Sequence, residues 1–391
     1  MNILFVHSNG IVPTAGGISR TTHNLVQLFR SKGHKVWLLG AKNKHQRFEY
    51  DEHQYFLPCQ ESADFKDNTV FLIDFIRSRS VQIVINQTPF SEDVVRLLDK
   101  CRKETGSKIV SCYHNSILTP IYNYAYQKEY NFTKRGLGFV FKLLKRDVVR
   151  GFLTKTYIAK YRQSFRETSE KSDTVVLLCD GQVNEWRRMC GYSDDRNTTV
   201  IPNYISADVI EHDIRKQQIV LWVGTFDYAI KRPDLMLRIW KEVECEHRDW
   251  GLYMLGDGPS LTEMKVLSQQ LGLKRVTFTG RVNPLDYYRM AKIQCVTSVH
   301  EAFPMVTVES MIEANPVIAF NSFTSASDII IDKKNGALVE PFNIYEYARN
   351  LSELMDNEQL CNAMGVCARE STTRFSPESV YALWQQLFDR L

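Results

Sequence analysis

The sequence predicts an α/β protein made of two doubly wound parallel sheets in series. Three observations lead there. Short apolar runs alternate with helical patterns through the first half of the chain; the alternation starts afresh at Ile219, behind the polar lead-in Lys216-Gln217-Gln218; and 391 residues are enough for two separate cores. In the first series the strands fall at residues 3–7, 35–39, 82–85, 108–113, 174–178 and 199–201, with helices at 18–31, 68–78, 91–104 and 181–189. In the second, strands fall at 219–223, 252–255, 276–278, 293–297, 316–320 and 337–339, with helices at 231–244, 261–271 and 284–290. The turn Ile201-Pro202-Asn203 and the polar lead-in put the boundary at about residue 206, giving domains of residues 1–205 and 206–374. A last helix, 375–391, opens with Ser376 as a cap and Pro377 in the first turn.

The bulk numbers exclude several classes. Met1-Asn2-Ile3-Leu4-Phe5-Val6-His7 lacks the basic start and longer apolar core of a secretory leader, so it reads as the first strand. No stretch approaches the length that spans a bilayer. The nine cysteines, scattered without a metal spacing or a Cys-x-x-Cys, fit reduced thiols and a cytoplasmic location. Net charge is +4, but it is local: residues 117–167 hold eleven Lys or Arg against three acids.

The most informative segment is His300-Glu301-Ala302-Phe303-Pro304-Met305-Val306-Thr307-Val308-Glu309-Ser310. It lies between two strands and opens a helix, so its loop belongs to the C-terminal edge of a parallel sheet, where doubly wound folds bind ligands. Backbone N–H groups at a helix start suit a phosphate, and carboxylates accept from sugar and ribose hydroxyls. Two surface glutamates flanking a helix start would be the plainer reading.

Glu301 through Glu309 resembles the paired-glutamate signature of retaining glycosyltransferases with the GT-B fold, especially family 4. The resemblance implies two Rossmann-like domains facing across a cleft, with the last helix crossing back onto the N-terminal domain. It implies that Glu301 holds hydroxyls of the donor sugar, that Phe303, Pro304, Met305 and Val306 position the sugar and its phosphate, and that Glu309 accepts from the ribose. Val223-Gly224-Thr225-Phe226 followed by Lys231-Arg232 is similar to the family's element that neutralises the donor diphosphate. Lys231 matches; Thr225 stands where an arginine is usual, and Arg232 is the candidate second cation. Leu255-Gly256-Asp257-Gly258-Pro259 resembles the turn beneath the nucleotide, and Arg281 with Val282 the backbone that pairs with the base. Either could equally be a structural turn. Gly16-Gly17, after the first strand, resembles the loop that approaches diphosphate or acceptor, and a tight turn accounts for it as well. His114, at the end of the fourth strand, matches a family position near sugar and acceptor, although such a histidine is more often packed or solvated. Asn315 before Pro316 takes the place of a usual glycine, asparagine tolerating a left-handed backbone.

The chain holds no Asp-x-Asp, so no metal or other cofactor is expected. Glu242, Glu244 and Glu246 spread round a helix as a solvated face. The expected function is retaining transfer of a sugar from a nucleotide-diphosphate sugar, UDP-sugar favoured, to a carbohydrate or lipid-linked acceptor of surface-polysaccharide or lipopolysaccharide assembly. Two other readings stay open: a nucleotide-sugar-binding protein without transfer activity, motivated by Thr225, and a GT-B epimerase. In residues 117–167 aromatics interleave with cations, which suits an anionic membrane surface on the inner face of the cytoplasmic membrane; a solvated helical excursion is the plainer account. No nucleic-acid motif accompanies the segment, and no nucleic-acid partner is expected.

Overall fold

The structure, a computed structural model, describes residues 1–13, 16–43, 50–205 and 215–391. The boundary expected at about residue 206 lies outside the described residues. Two compact units emerge: Met1–Asn115 with Tyr157–Asn203 and Pro377–Leu391, and Ser116–Thr156 with Tyr204–Ser376.

The first unit is built on β1 (Asn2–Asn9), β2 (Lys35–Lys42), β3 (Gln54–Phe56), β4 (Ile83–Asn86), β5 (Lys108–Cys112), β6 (Thr174–Leu177) and β7 (Thr198–Val200). They pair in the order β3-β2-β1-β4-β5-β6-β7, every neighbour parallel. Helices cover both faces, which is why β4 and β6 are buried along their whole length and read as unbroken apolar runs. The edge strand β3 was not expected from sequence; its three half-buried residues are too few to show a period. The helix Pro377–Phe388 belongs to this unit. Phe29 meets Trp384 and Phe388 at ring-centre distances of 5.5 and 5.6 Å, and the Tyr381 hydroxyl lies 2.7 Å from His34 Nε2.

The second unit contains β8 (Ile219–Val223), β9 (Gly251–Leu255), β10 (Val276–Gly280), β11 (Ile293–Val296), β12 (Val317–Phe320) and β13 (Gly336–Val339). Their order is β10-β9-β8-β11-β12-β13, again all parallel. Trp222, Phe226, Trp240, Met254, Phe320 and Tyr347 anchor the core on one face of this sheet. Three local expectations are corrected. The helix expected from residue 231 begins at Pro233, because Arg232 has φ +50° and cannot join it. Glu244 is buried rather than solvated: its carboxylate accepts from Trp240 Nε1 and from the backbone N–H groups of Lys274 and Arg275. The left-handed residue before Pro316 is Ala314, φ +56°, while Asn315 turns inward to donate to the Tyr288 carbonyl and the Ser310 hydroxyl.

The basic segment forms helices Thr119–Tyr122, Tyr124–Lys134, Gly138–Leu144 and Asp147–Glu170. It was expected within the first domain, yet Ser116–Thr156 belongs to the second unit. Aromatic stacking explains the change: Tyr126 lies on Phe342 and Tyr130 on Tyr228, each at 3.6 Å between ring centres, and Lys134 pairs with Glu263 at 3.0 Å. Among the described residues no helix is long and apolar enough to cross a membrane.

Candidate functional site

In the second sheet the strand order reverses between β8 and β11. At such a switch point the loops leaving the two strands diverge to opposite faces and open a crevice at the carboxyl edge. The loop after β8 is Gly224–Arg232 and the loop after β11 runs from residue 297 to 304, so the two strongest sequence candidates, Lys231 and Glu301, occupy this one place.

The first loop is fixed mainly by its own backbone. Phe226 is buried beneath it, Phe226 N–H donates to the Asp257 carbonyl of the Asp257-Gly258 turn, and Lys231 N–H and Arg232 N–H both donate to the Asp227 carbonyl at 3.1 Å. Thr297 Oγ1 then bridges the loops, donating to the carbonyls of Lys231 and Arg232 at 2.8 and 3.0 Å and accepting from Trp222 Nε1 at 3.0 Å. The second loop is tied to the first where Val299 N–H donates to the Ile230 carbonyl at 2.6 Å. This scaffold brings Lys231 Nζ onto Glu301 Oε1 as an ion pair, and Ser298 Oγ donates to the same carboxylate oxygen at 2.8 Å. Both side chains remain partly exposed, so a polar ligand can reach them. Burial lowers the pKa of the adjacent His300; Glu301 opposes that shift and Lys231 adds to it. A largely neutral imidazole therefore stands next to the pair.

Arg232 points elsewhere. The residue is 3% exposed, and its guanidinium grips Asp234 with two bonds of 2.8 and 2.9 Å, meets Glu129 at 2.9 Å and donates to the Tyr126 carbonyl at 3.1 Å. Burial opposes the charge, but the Asp234 and Glu129 carboxylates outweigh it and hold the pKa above the ordinary arginine value. The second cation expected for a diphosphate is thus committed to joining the helix Tyr124–Lys134 to the loop. Thr225 is exposed, with its carbonyl accepting from Asp227 N–H, and offers no charge. Of residues 224–232 only Lys231 presents a cation that a ligand could meet.

The remaining candidates follow the carboxyl ends of their strands. Gly256 has φ +128°, and a Cβ there would stand 1.9 Å from the Gly224 carbonyl oxygen. Its glycine is therefore demanded by the close approach of two loops, which seats the β8 loop. Arg281 and Val282 are exposed just after β10. Phe303 is buried edge-on against Phe375 at 5.4 Å and Pro304 is buried beside it, so both brace the turn from within. Met305 and Val306 begin the helix Met305–Ile312, whose first N–H groups have no partner inside the helix by its geometry. Glu309, one turn on, takes a different partner from Glu301: the Tyr288 hydroxyl donates to its Oε2 at 3.0 Å.

In the first unit the strand order reverses between β1 and β4. Gly16 caps the helix Gly17–Ser31 at φ +139°, a conformation for glycine, and neither it nor Gly17 has an atom within 4 Å of where a side chain would grow. His114 lies just past β5, half-buried, with Nε2 hydrogen-bonded to Gln87 Oε1. Burial, with His7 adding to it, pushes its pKa down to about 4, so it works as a neutral hydrogen-bonding group. Among the described residues no group of three or more His, Cys, Asp or Glu could hold a metal ion.

Residues 207–371 match the family Glycosyl transferases group 1, and residues 15–209 match Glycosyltransferase Family 4. The chain belongs to this glycosyltransferase family type and has its GT-B fold. An uncharacterized glycosyltransferase of Haemophilus influenzae is 29% identical over 168 residues, 42% of this chain and 47% of that protein. A poly(ribitol-phosphate) alpha-N-acetylglucosaminyltransferase of Staphylococcus aureus is 27% identical over 230 residues, 57% of this chain and 45% of that protein. The match thus spans under half the length of these two relatives. Anabaena HepE, solved in complex with UDP, has the same fold, with a TM-score of 0.73 at 14% identity over 100% of both chains.

Several residues that shape this glycosyltransferase-family site were not legible in the sequence. Ser298 donates its hydroxyl to Glu301, and the Ser322 hydroxyl holds the Ser298 backbone by donating to its carbonyl at 2.5 Å. Asn123 Nδ2, at the junction of the helices Thr119–Tyr122 and Tyr124–Lys134, donates to the carbonyls of Val299 and Ser322 at 2.8 and 2.7 Å, holding the Glu301 loop from a point far off in sequence. Asn123 sits in the segment where the resemblance is thinnest, and nothing near it in the chain signals the contact.

Proposed function

We propose that this protein is a retaining glycosyltransferase acting on a nucleotide-diphosphate sugar, with UDP as the nucleotide. The observation that carries the proposal is the Lys231–Glu301 pair at the switch point of the second sheet. Each group offers what one end of such a donor needs. On donor binding Lys231 leaves Glu301 for the diphosphate, and the freed carboxylate accepts hydroxyls of the sugar. Met305 and Val306 N–H groups face the phosphate from the helix start, and Glu309 accepts from the ribose. In the transfer, the bond between the anomeric carbon and the phosphate oxygen breaks with its electrons going to the diphosphate. The acceptor oxygen bonds to the same carbon from the same face, and its proton passes to the departing phosphate oxygen. Lys231 stabilises the negative charge gathering there. His114, neutral, suits a hydrogen bond to a sugar hydroxyl. The acceptor class is a carbohydrate or lipid-linked intermediate of surface-polysaccharide or lipopolysaccharide assembly, supported by the functions named for relatives: amylovoran biosynthesis in Erwinia amylovora, the O-antigen chain in Escherichia coli and an undecaprenol-linked acceptor in Campylobacter jejuni.

The test is a panel of nucleotide-sugars incubated in EDTA with the wild-type chain, Lys231→Ala and Glu301→Gln, followed by transfer, donor hydrolysis and the anomeric configuration of the product. Loss of one stabilising group at a transition state of this kind lowers kcat by about 10²–10³-fold. Wild-type rates from both variants overturn the assignment. Binding with neither transfer nor slow hydrolysis identifies a silent nucleotide-sugar carrier instead.

A further inference from the structure

The segment that joins Arg232 carries a second surface. Its near half is spent on packing: Tyr126 and Tyr130 are stacked on Phe342 and Tyr228, and Phe141 meets Tyr126 edge-on at 5.7 Å. Its far half is not. The helix Gly138–Leu144 is mostly apolar, yet none of its residues is buried. Val140, Phe141 and Leu144 lie half-covered on the inner side, which leaves Phe139 and Leu143, four apart, on the outer side at 67% and 47% exposure. The next helix, Asp147–Glu170, repeats the device with Val148 and Phe152, again four apart, at 84% and 66%. Side chains spaced by four share a helix face, so these are two short apolar ridges. Around them stand Arg135, Lys142, Lys145, Arg146, Arg150 and Lys155, all exposed, against a single acid, Asp147, which is already paired with Arg150 at 2.6 Å.

We infer that residues 135–156 form a docking surface for an anionic lipid bilayer. The apolar ridges suit the boundary of headgroups and acyl chains, and the surrounding cations suit the anionic headgroups above it. A second copy of the chain is a poor occupant, because a two-fold contact through this patch would set its cations against one another. The earlier expectation covered residues 117–167; the structure withdraws Tyr126 and Tyr130 from lipid contact and concentrates the surface on the outer half. The stacked aromatics and Arg232 make that surface part of the same unit as the donor loop, so a docked bilayer would hold Lys231 and Glu301 near a lipid-linked acceptor.

Flotation of the full-length chain with phosphatidylglycerol-containing vesicles, without nucleotide-sugar, tests this independently of any transferase activity. Binding is expected to anionic vesicles and not to pure phosphatidylcholine. At about one headgroup-scale attraction per cation, Lys142→Gln with Arg146→Gln weakens partitioning by about 30-fold. Phe139→Ser with Phe152→Ser weakens it even in low salt, where charge alone would hold, while the thermal midpoint of either double variant stays that of the wild type. Equal binding to neutral and anionic vesicles, indifference to the phenylalanine pair, or concentration-dependent dimerisation that the same phenylalanine changes abolish would each overturn the inference.

Discussion

Substituting Arg232 by methionine separates two roles that its sequence position leaves confounded. If the guanidinium were a diphosphate clamp, its loss would damage donor binding and leave the fold intact. The structure predicts the reverse. Methionine fills much of the aliphatic volume but strands two carboxylates and the Tyr126 carbonyl. Asp234, with 10% of its side chain exposed, cannot turn to water; Glu129, at 31%, largely can. Removing one partner from a buried ion pair costs about 3–5 kcal/mol, and the partial escape of Glu129 places this case near the lower end. For a domain of this size that lowers the thermal midpoint by roughly 10 °C. The assay is thermal unfolding of the full chain beside steady-state donor kinetics, with Arg232→Met, Asp234→Asn and Glu129→Gln combined as the rescue. The combined variant recovers most of the lost stability, since replacing all partners removes the stranded charges. An unchanged midpoint in Arg232→Met, together with a donor KM raised far beyond that of wild type, would refute the reasoning and restore Arg232 as a clamp.

Two further outcomes follow from the geometry. Gly256→Ala forces a Cβ into the Gly224 carbonyl at a backbone angle alanine rarely adopts, so the two loops must part; folding yield and donor binding should both fall sharply, whereas Gly16→Ala, with open space round it, costs only its backbone strain. A chain with wild-type midpoint and donor affinity after Gly256→Ala would show that the loops are not in contact. His114 should make stability depend on pH. Its folded pKa of about 4 lies below the ordinary value of 6.5, so between those limits the unfolded chain binds more protons, and stability rises with pH through that window and is lost on acidification. Denaturant unfolding across the window should show a shallower slope in His114→Asn; an unchanged slope would remove His114 as the cause.

Much of the fold was legible in the residues. The paired strands and helices follow from apolar runs that both faces of a parallel sheet must bury, and expected bounds differ from observed ones by a few residues at most where helix ends fray or cap. The helices Ile344–Asp356 and Glu358–Ser371 had no counterpart among the expected elements, and two further exceptions have local causes. β3 is too short to carry a period, and the helix after β8 starts late because Pro233 fixes its first turn while Arg232 turns left-handed. At the site, Lys231, Glu301 and Glu309 were legible because their spacing ties them to loop and helix start. Ser298, Asn123 and Tyr228 were not, because each acts through a contact with a residue distant in the chain.

Charge type and position along the chain were thus decided by sequence: which cations stand beside the β8 loop, which carboxylates follow β11, and where basic and aromatic residues gather. Which of those charges face a ligand was decided only by the tertiary structure. Lys231 and Arg232 are neighbours with the same formal charge, yet one reaches Glu301 in the open crevice and the other is sealed between Asp234 and Glu129. Periodicity reports whether a side chain is buried, but the identity of its partner depends on which element the fold brings against it, and the segment around Glu129 is brought there by the stacking of Tyr130 on Tyr228 and of Tyr126 on Phe342, residues far apart in the chain.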